Sequence, residues 1–130
     1  MKVEELRIGN WIFGDNDPYM QVEQLFKTGI IANFPEAESD GWEYDTERVS
    51  PIPLTPKILK ASGFTKETDS EFHDVWWTKN RFGISYAKMG NEVTKKGSWY
   101  VGDYTEIPNL HWLQNYYFFT TGGKELEIAL

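Results

Sequence analysis

His73 and His111 are the only two histidines in the chain, and histidine is the side chain that ordinarily titrates closest to neutral pH. His111 lies in Ile107-Pro108-Asn109-Leu110-His111-Trp112-Leu113-Gln114-Asn115-Tyr116-Tyr117-Phe118-Phe119, the densest aromatic run of the sequence. On a helix, His111, Gln114, Asn115 and Phe118 fall three and four apart on one strip. An imidazole and two amides offer donors and acceptors, and a phenyl ring offers an apolar flank, so the strip has the chemistry to read a ligand or a peptide backbone. The competing reading is that Gln114 and Asn115 tie the helix to adjacent loop backbone. As an acid–base group, His111 would need a carboxylate from the run Glu36, Glu38, Asp40, Glu43, Asp45 and Glu47. Carboxylates so close together repel one another, which favours a solvated loop.

Other constellations are thin. Asp15-Asn16-Asp17 lacks the glycine and closing glutamate of a calcium loop and reads as a turn. The phosphate-loop, dinucleotide-glycine and HExxH patterns do not occur. With no cysteine there is no thiolate nucleophile, zinc ribbon or disulfide framework, which fits a reducing cytoplasm. No cofactor, metal set or catalytic residue is assigned, and the sequence leans away from an enzyme.

Trp76 is the remaining candidate contact residue. Residues 72–78 and 81–87 alternate as two strands. With Lys79-Asn80 as a two-residue turn, Trp77 opposes Phe82, Val75 opposes Ile84 and His73 opposes Tyr86. That apolar face is expected to meet the C-terminal helix, with His73 as a hydrogen-bonded core histidine. Trp76 then lies over Gly83 on the other face, as an exposed aromatic platform or packed on the N-terminal lobe. A longer loop would exchange the faces, because a one-residue slip inverts every side chain.

The elements that must hold these residues define an α+β chain. Residues 1–50 read as an SH3-like small β-barrel of short strands joined by tight turns. Leu6-Arg7-Ile8-Gly9-Asn10-Trp11-Ile12-Phe13 allows a bulge at Gly9. Met20-Gln21-Val22-Glu23-Gln24-Leu25 alternates until Gln24 and Leu25 break the phase. Strands are also expected at residues 29–34, 42–44 and 48–50. Residues 51–63 form a Pro-rich connector and a short helix, with Thr55 as N-cap, Pro56 at the first helical position and Gly63 as the stop. Residues 64–130 form an antiparallel meander, with strands at 98–101 and 104–107, covered by a C-terminal helix; the lobes share one compact unit. Asn109 caps that helix and Gly122-Gly123 ends it. Its ring-rich arc holds Leu110, Trp112, Leu113, Tyr116, Tyr117, Phe119 and Thr120. This arc is expected to face the sheet, leaving the polar strip outward. Residues 124–128 alternate and suggest an edge strand.

The net charge of -7 disfavours phosphate backbones as partners. Aromatic residues make up 16% of a short chain, more than its core needs, and surplus rings are the usual material of binding surfaces. The start has no signal-peptide pattern and no run is apolar enough to span a membrane, so a cytoplasmic protein is expected. The function these features favour is a non-enzymatic binding or interaction module with a protein partner. Two alternatives stand beside it: a small enzyme with an inter-lobe site using His111 and an acidic residue of the 36–47 loop, and single-stranded nucleic-acid binding through Trp11 or Trp42 of the barrel. An exposed strand edge would also let two copies pair.

Three segments carry a resemblance: Leu6-Arg7-Ile8-Gly9-Asn10-Trp11; Pro51-Ile52-Pro53-Leu54-Thr55 through Gly63-Phe64; and His111-Trp112-Leu113-Gln114-Asn115-Tyr116-Tyr117-Phe118 with Glu125-Leu126-Glu127-Ile128. In this order the chain resembles a family of short proteins, without an assigned activity, encoded by gut Bacteroidetes and their phages or mobile elements. The His-x-Leu-Gln-Asn-x-Tyr-Phe string is the most specific part. The resemblance implies an intracellular accessory protein of phage or mobile-element origin.

Overall fold

The computed structural model describes residues 1–14, 19–35, 37, 40–69, 75–89, 96–102 and 105–130. His73, Asp15-Asn16-Asp17, Glu36, Glu38 and Tyr104 lie outside them. The chain forms two compact units, Met1–Pro53 with Asn109–Lys124 and Leu54–Pro108 with Glu125–Leu130. Both units are built on an antiparallel sheet, so the chain is α+β with a C-terminal helix. Among the described residues, no helix is long and apolar enough to cross a membrane.

The first unit holds β1 (Trp11–Phe13), β2 (Tyr19–Leu25), β3 (Gly29–Asn33) and β4 (Trp42–Asp45), paired in that order. Its core joins Leu6, Ile12, Met20, Val22, Ile30, Ala32 and Val49. The phase break at the end of β2 has a physical cause: the register against β3 shifts between Val22 and Gln24. One extra residue turns Gln24 out and brings Leu25 back against the core. A second two-against-one arrangement sits at Gly9, where Val22 O accepts from Gly9 N and Val22 N donates to Asn10 O. Gly9 has φ +93°, a region glycine enters without steric cost. Residues 48–50 do not form the separate strand expected of them. Thr46–Arg48 is a 3₁₀ turn, and Ser50 makes a single bridge back to Phe13.

In the second unit, α1 (Pro56–Ala61) begins as its residues predict. Thr55 Oγ1 accepts from Ile58 N at 3.2 Å, Pro56 starts the helix, and Ile58 and Leu59 anchor it. The sheet is β5 (Thr65–Asp69), β6 (Val75–Lys79), β7 (Phe82–Met89), β8 (Lys96–Val101) and β9 (Thr105–Glu106), again in chain order. β5, Thr-Lys-Glu-Thr-Asp, has no apolar alternation and gives no strand signal in the sequence; pairing with β6 makes it a strand.

The β6–β7 turn falls on Asn80-Arg81 rather than Lys79-Asn80. Trp77 therefore opposes Ile84, Val75 opposes Tyr86 and Lys79 opposes Phe82. Asn80 takes φ +56°, which asparagine tolerates better than most residues. The slip is two residues, so the faces are preserved. Residues 124–128 form no strand; Leu126 is buried and Ala129 N donates to Ala61 O at 2.9 Å.

The C-terminal helix, α2 (Leu110–Thr120), starts and stops where its caps predict. Asn109 Oδ1 accepts from Trp112 N at 3.1 Å, and Gly122 and Gly123, both at positive φ, let Gly123 N close onto Phe118 O at 2.8 Å. Its partner and its face differ from expectation. α2 belongs to the first unit, where it packs beside β1. It buries Leu110, His111, Leu113, Gln114 and Tyr117, whereas Trp112 is 42% exposed and Phe119 74% exposed. The helix is rotated so that amide and imidazole groups go inward and two large rings go out. Hydrophobicity alone misplaces the face because backbone groups near the Gly9 bulge need partners.

Candidate functional site

Four of the five residues singled out from the sequence lie on α2, and the structure gives each a partner in residues 5–11. Gln114 is 2% exposed; its Oε1 accepts from Trp11 N at 2.8 Å and its Nε2 donates to Gly9 O at 3.2 Å. Asn115 Oδ1 accepts from Asn10 Nδ2 at 2.8 Å and Arg7 Nε at 3.2 Å, while its Nδ2 donates to Glu5 O at 2.9 Å. Asn10 Oδ1 in turn accepts from Arg7 N at 2.7 Å. Phe118 lies beneath the Arg7 guanidinium, 4.0 Å from ring centre to Cζ, a cation–π contact. The strip thus satisfies the irregular backbone leading into β1.

His111 has no exposed surface, and its Nε2 lies 3.2 Å from Glu5 Oε1. Burial pushes its pKa below the ordinary 6.5, and the neighbouring Glu5 carboxylate only partly opposes that shift. The neutral ring therefore donates Nε2–H to Glu5, and Nδ1 has no partner among the described residues. The carboxylate beside its ring is Glu5, and the imidazole is closed to solvent. No group of three or more His, Cys, Asp or Glu among the described residues could hold a metal ion. Of the two tryptophans considered for base stacking, Trp11 is buried and Trp42 is exposed.

Trp76, the fifth residue, is on β6 in the second unit and is 45% exposed. Its ring lies against Gly83, where an added Cβ would come within 3.2 Å of it, so the platform rests on bare backbone. Its neighbour Trp77 points to the opposite side, where the sequence reading put a helix. Within this unit the connector and α1 meet that face instead, and they leave a cleft of about 420 Å³. Val75 and Trp77 of β6, Tyr86 of β7 and Trp99 of β8 line it, with Leu54, Thr55 and Pro56 opposite and Lys60 and Lys66 also on the wall.

The cleft is shaped by cross-strand pairing. Tyr86 pairs with Trp99 across β7 and β8, with ring centres 5.0 Å apart at 58°. The Tyr86 ring also covers Gly97, where any Cβ would collide with it. Trp99 Nε1 donates to Leu54 O at 3.1 Å, which fixes the connector to the sheet. Trp77 is buried, and its Nε1–H has no acceptor among the described residues. Sequence reasoning found Trp77 but assigned it to core, and it missed Tyr86 and Trp99 as a site. The available signal was the alternation that aligns Val75, Trp77, Ile84 and Tyr86. The register to Trp99 and the identity of the covering element were not readable. No family model, curated protein or solved structure matches the chain.

Proposed function

We propose that the protein is a non-enzymatic binding module and that the aromatic cleft of its second unit is the receptor site. The observation that carries this reading is the cleft itself: about 420 Å³, walled by Trp77, Tyr86 and Trp99, lies within the size range of small-ligand sites and has their mostly apolar lining with a few polar groups. The burial of His111 weighs against an acid–base site on α2. Trp76, on the opposite face of β6, is a second contact surface suited to a protein partner.

The first unit is best described as a small SH3-like barrel. Support comes from the four-stranded meander, the 3₁₀ turn at Thr46–Arg48 and the Ser50 bridge that returns the chain to β1. Its role is to scaffold α2, whose polar strip it satisfies. The resemblance read in the sequence supports an intracellular accessory role for such a module in a phage or mobile element.

A screen of small fragments against the ¹⁵N-labelled chain tests the receptor assignment. Hits should move the indole N–H signals of Trp77 and Trp99 and leave Trp112 still. Hits confined to other tryptophans, or none at all, would reject it.

A further inference from the structure

We infer that the open edge of the first sheet, strand β4, takes an added strand from a partner protein: an extended segment in which lysine or arginine alternates with apolar residues. The site lies on the first unit and does not involve the aromatic cleft.

The backbone supplies the template. β4 stands last in its sheet and pairs only with β3. In an antiparallel pair, alternate residues turn their N–H and C=O groups to the partner strand and the residues between turn theirs away. Two of the four β4 residues therefore direct backbone groups off the sheet, where no described backbone group meets them. Such a row can pair with a further extended chain. Bulges, prolines and lysines commonly guard an exposed edge. β4 has none of these: its register runs from Gly29↔Asp45 to Ala32↔Trp42 without a shift, and its residues are Trp-Glu-Tyr-Asp.

The side chains select the occupant. Glu43 and Asp45, two residues apart, share one face of the strand, and both are exposed. Just before β4, a Cβ on Gly41 would stand 3.1 Å from Glu23 Oε2, so Glu23 brings a third carboxylate to this end of the strand. No side-chain bond engages Glu23, Glu43 or Asp45 among the described residues. Residues 40–48 set Asp40, Glu43, Asp45 and Glu47 against a single cation, Arg48, so the field along the edge is negative. A basic residue opposite Glu43 or Asp45 gains a cross-strand attraction, and an acidic one is repelled. The other face of β4 sets the alternate positions. Trp42 is 61% exposed there, and Tyr44 packs partly against the core. An apolar side chain on the added strand would cover the Trp42 ring.

The same charges weigh against two other occupants. A second copy pairing β4 with β4 would set the Glu43 and Asp45 carboxylates of one chain against those of the other. A nucleic acid would bring phosphates into a negative field, whatever its bases gained from stacking on Trp42.

The test titrates the full ¹⁵N-labelled chain with three capped hexapeptides. One alternates lysine and valine, one alternates glutamate and valine, and the third is the lysine–valine peptide with its backbone nitrogens methylated. The first should move the Trp42 indole signal and the amides of residues 42–45 saturably. The glutamate peptide should leave them still. The methylated peptide keeps the charge but has no N–H to give, and should bind at least roughly ten-fold more weakly. Glu43→Gln with Asp45→Asn removes two cross-strand pairs and should weaken the lysine peptide roughly three- to ten-fold. Both positions are exposed, so this variant should keep the wild-type spectrum. Equal binding of the glutamate peptide, or full binding by the double variant, would overturn the charge selection. Equal binding of the methylated peptide would overturn strand addition. Signals that move only outside β4 and Trp42, or β4 amides that shift with protein concentration alone, would overturn the site or give it to a second copy.

Discussion

The α2 amides of the first unit and the Trp77 indole of the second are buried polar groups treated in opposite ways. In the first, the α2 amides are matched to the backbone around Gly9 and Asn10: Gln114 meets one donor and one acceptor, and Asn115 joins Glu5, Arg7 and Asn10. In the second, the Trp77 indole N–H has no acceptor among the described residues. A closed network contributes to stability and has little left to offer a ligand. A buried donor without an acceptor costs stability.

The sharpest break of this contrast would come at Gln114. Gln114→Ala strands Trp11 N–H inside the first unit, whereas Gly9 C=O keeps its bond from Gln21 Nε2, and an unpaired buried group costs about 1–3 kcal/mol. A loss of about 1–3 kcal/mol in urea unfolding is expected. Asn115→Ala should cost less, about 1–2 kcal/mol, because Asn115 is only half-buried and water can reach part of the site. If either variant leaves stability within 0.5 kcal/mol of wild type, a margin typical of uninvolved surface positions, the network is not what holds α2.

His111 adds a pH dependence whose sign follows from its burial. Its folded pKa is lowered from 6.5, so below that pH the unfolded chain takes up the proton more readily than the folded one. The contribution is therefore complete above pH 6.5 and declines as pH falls through the interval down to the folded pKa. Glu5, which faces the ring, opposes the shift, and the amino terminus adds weakly to it. Urea midpoints measured from about pH 7 down to about pH 5 should fall more steeply for wild type than for His111→Gln. Parallel slopes would show that the imidazole is already solvated and charged.

Much of the fold is legible in the residues that punctuate it. Asn109, Gly122-Gly123, Thr55-Pro56 and Gly63 each mark a helix boundary through backbone chemistry that is local and nearly independent of tertiary context. The Gln24–Leu25 phase break likewise marked a bulge. What stayed hidden was long-range. The face of α2 could not be read from hydrophobicity, because bonds between residues more than a hundred positions apart draw Gln114 and Asn115 inward. β5 could not be read because its strand character comes from its neighbour β6. The cleft was invisible for a related reason: Val75, Trp77 and Tyr86 give a sound apolar face, but nothing in them says that a short proline-bearing connector, rather than a long helix, meets it.

The smallest expected effect is at the end of α1. Lys60 stands in the last turn of α1, where a cation interacts favourably with the helix carbonyls, a contribution of about 0.3–1 kcal/mol at an exposed site. Lys60→Ala should therefore lower stability by about 0.5 kcal/mol in urea unfolding. Lys60→Arg keeps the charge for the helix end and should restore that stability in full. Should the alanine variant lose more than about 1 kcal/mol, Lys60 would hold α1 by more than its charge. The second unit would then resemble the first, with its polar groups committed to the fold.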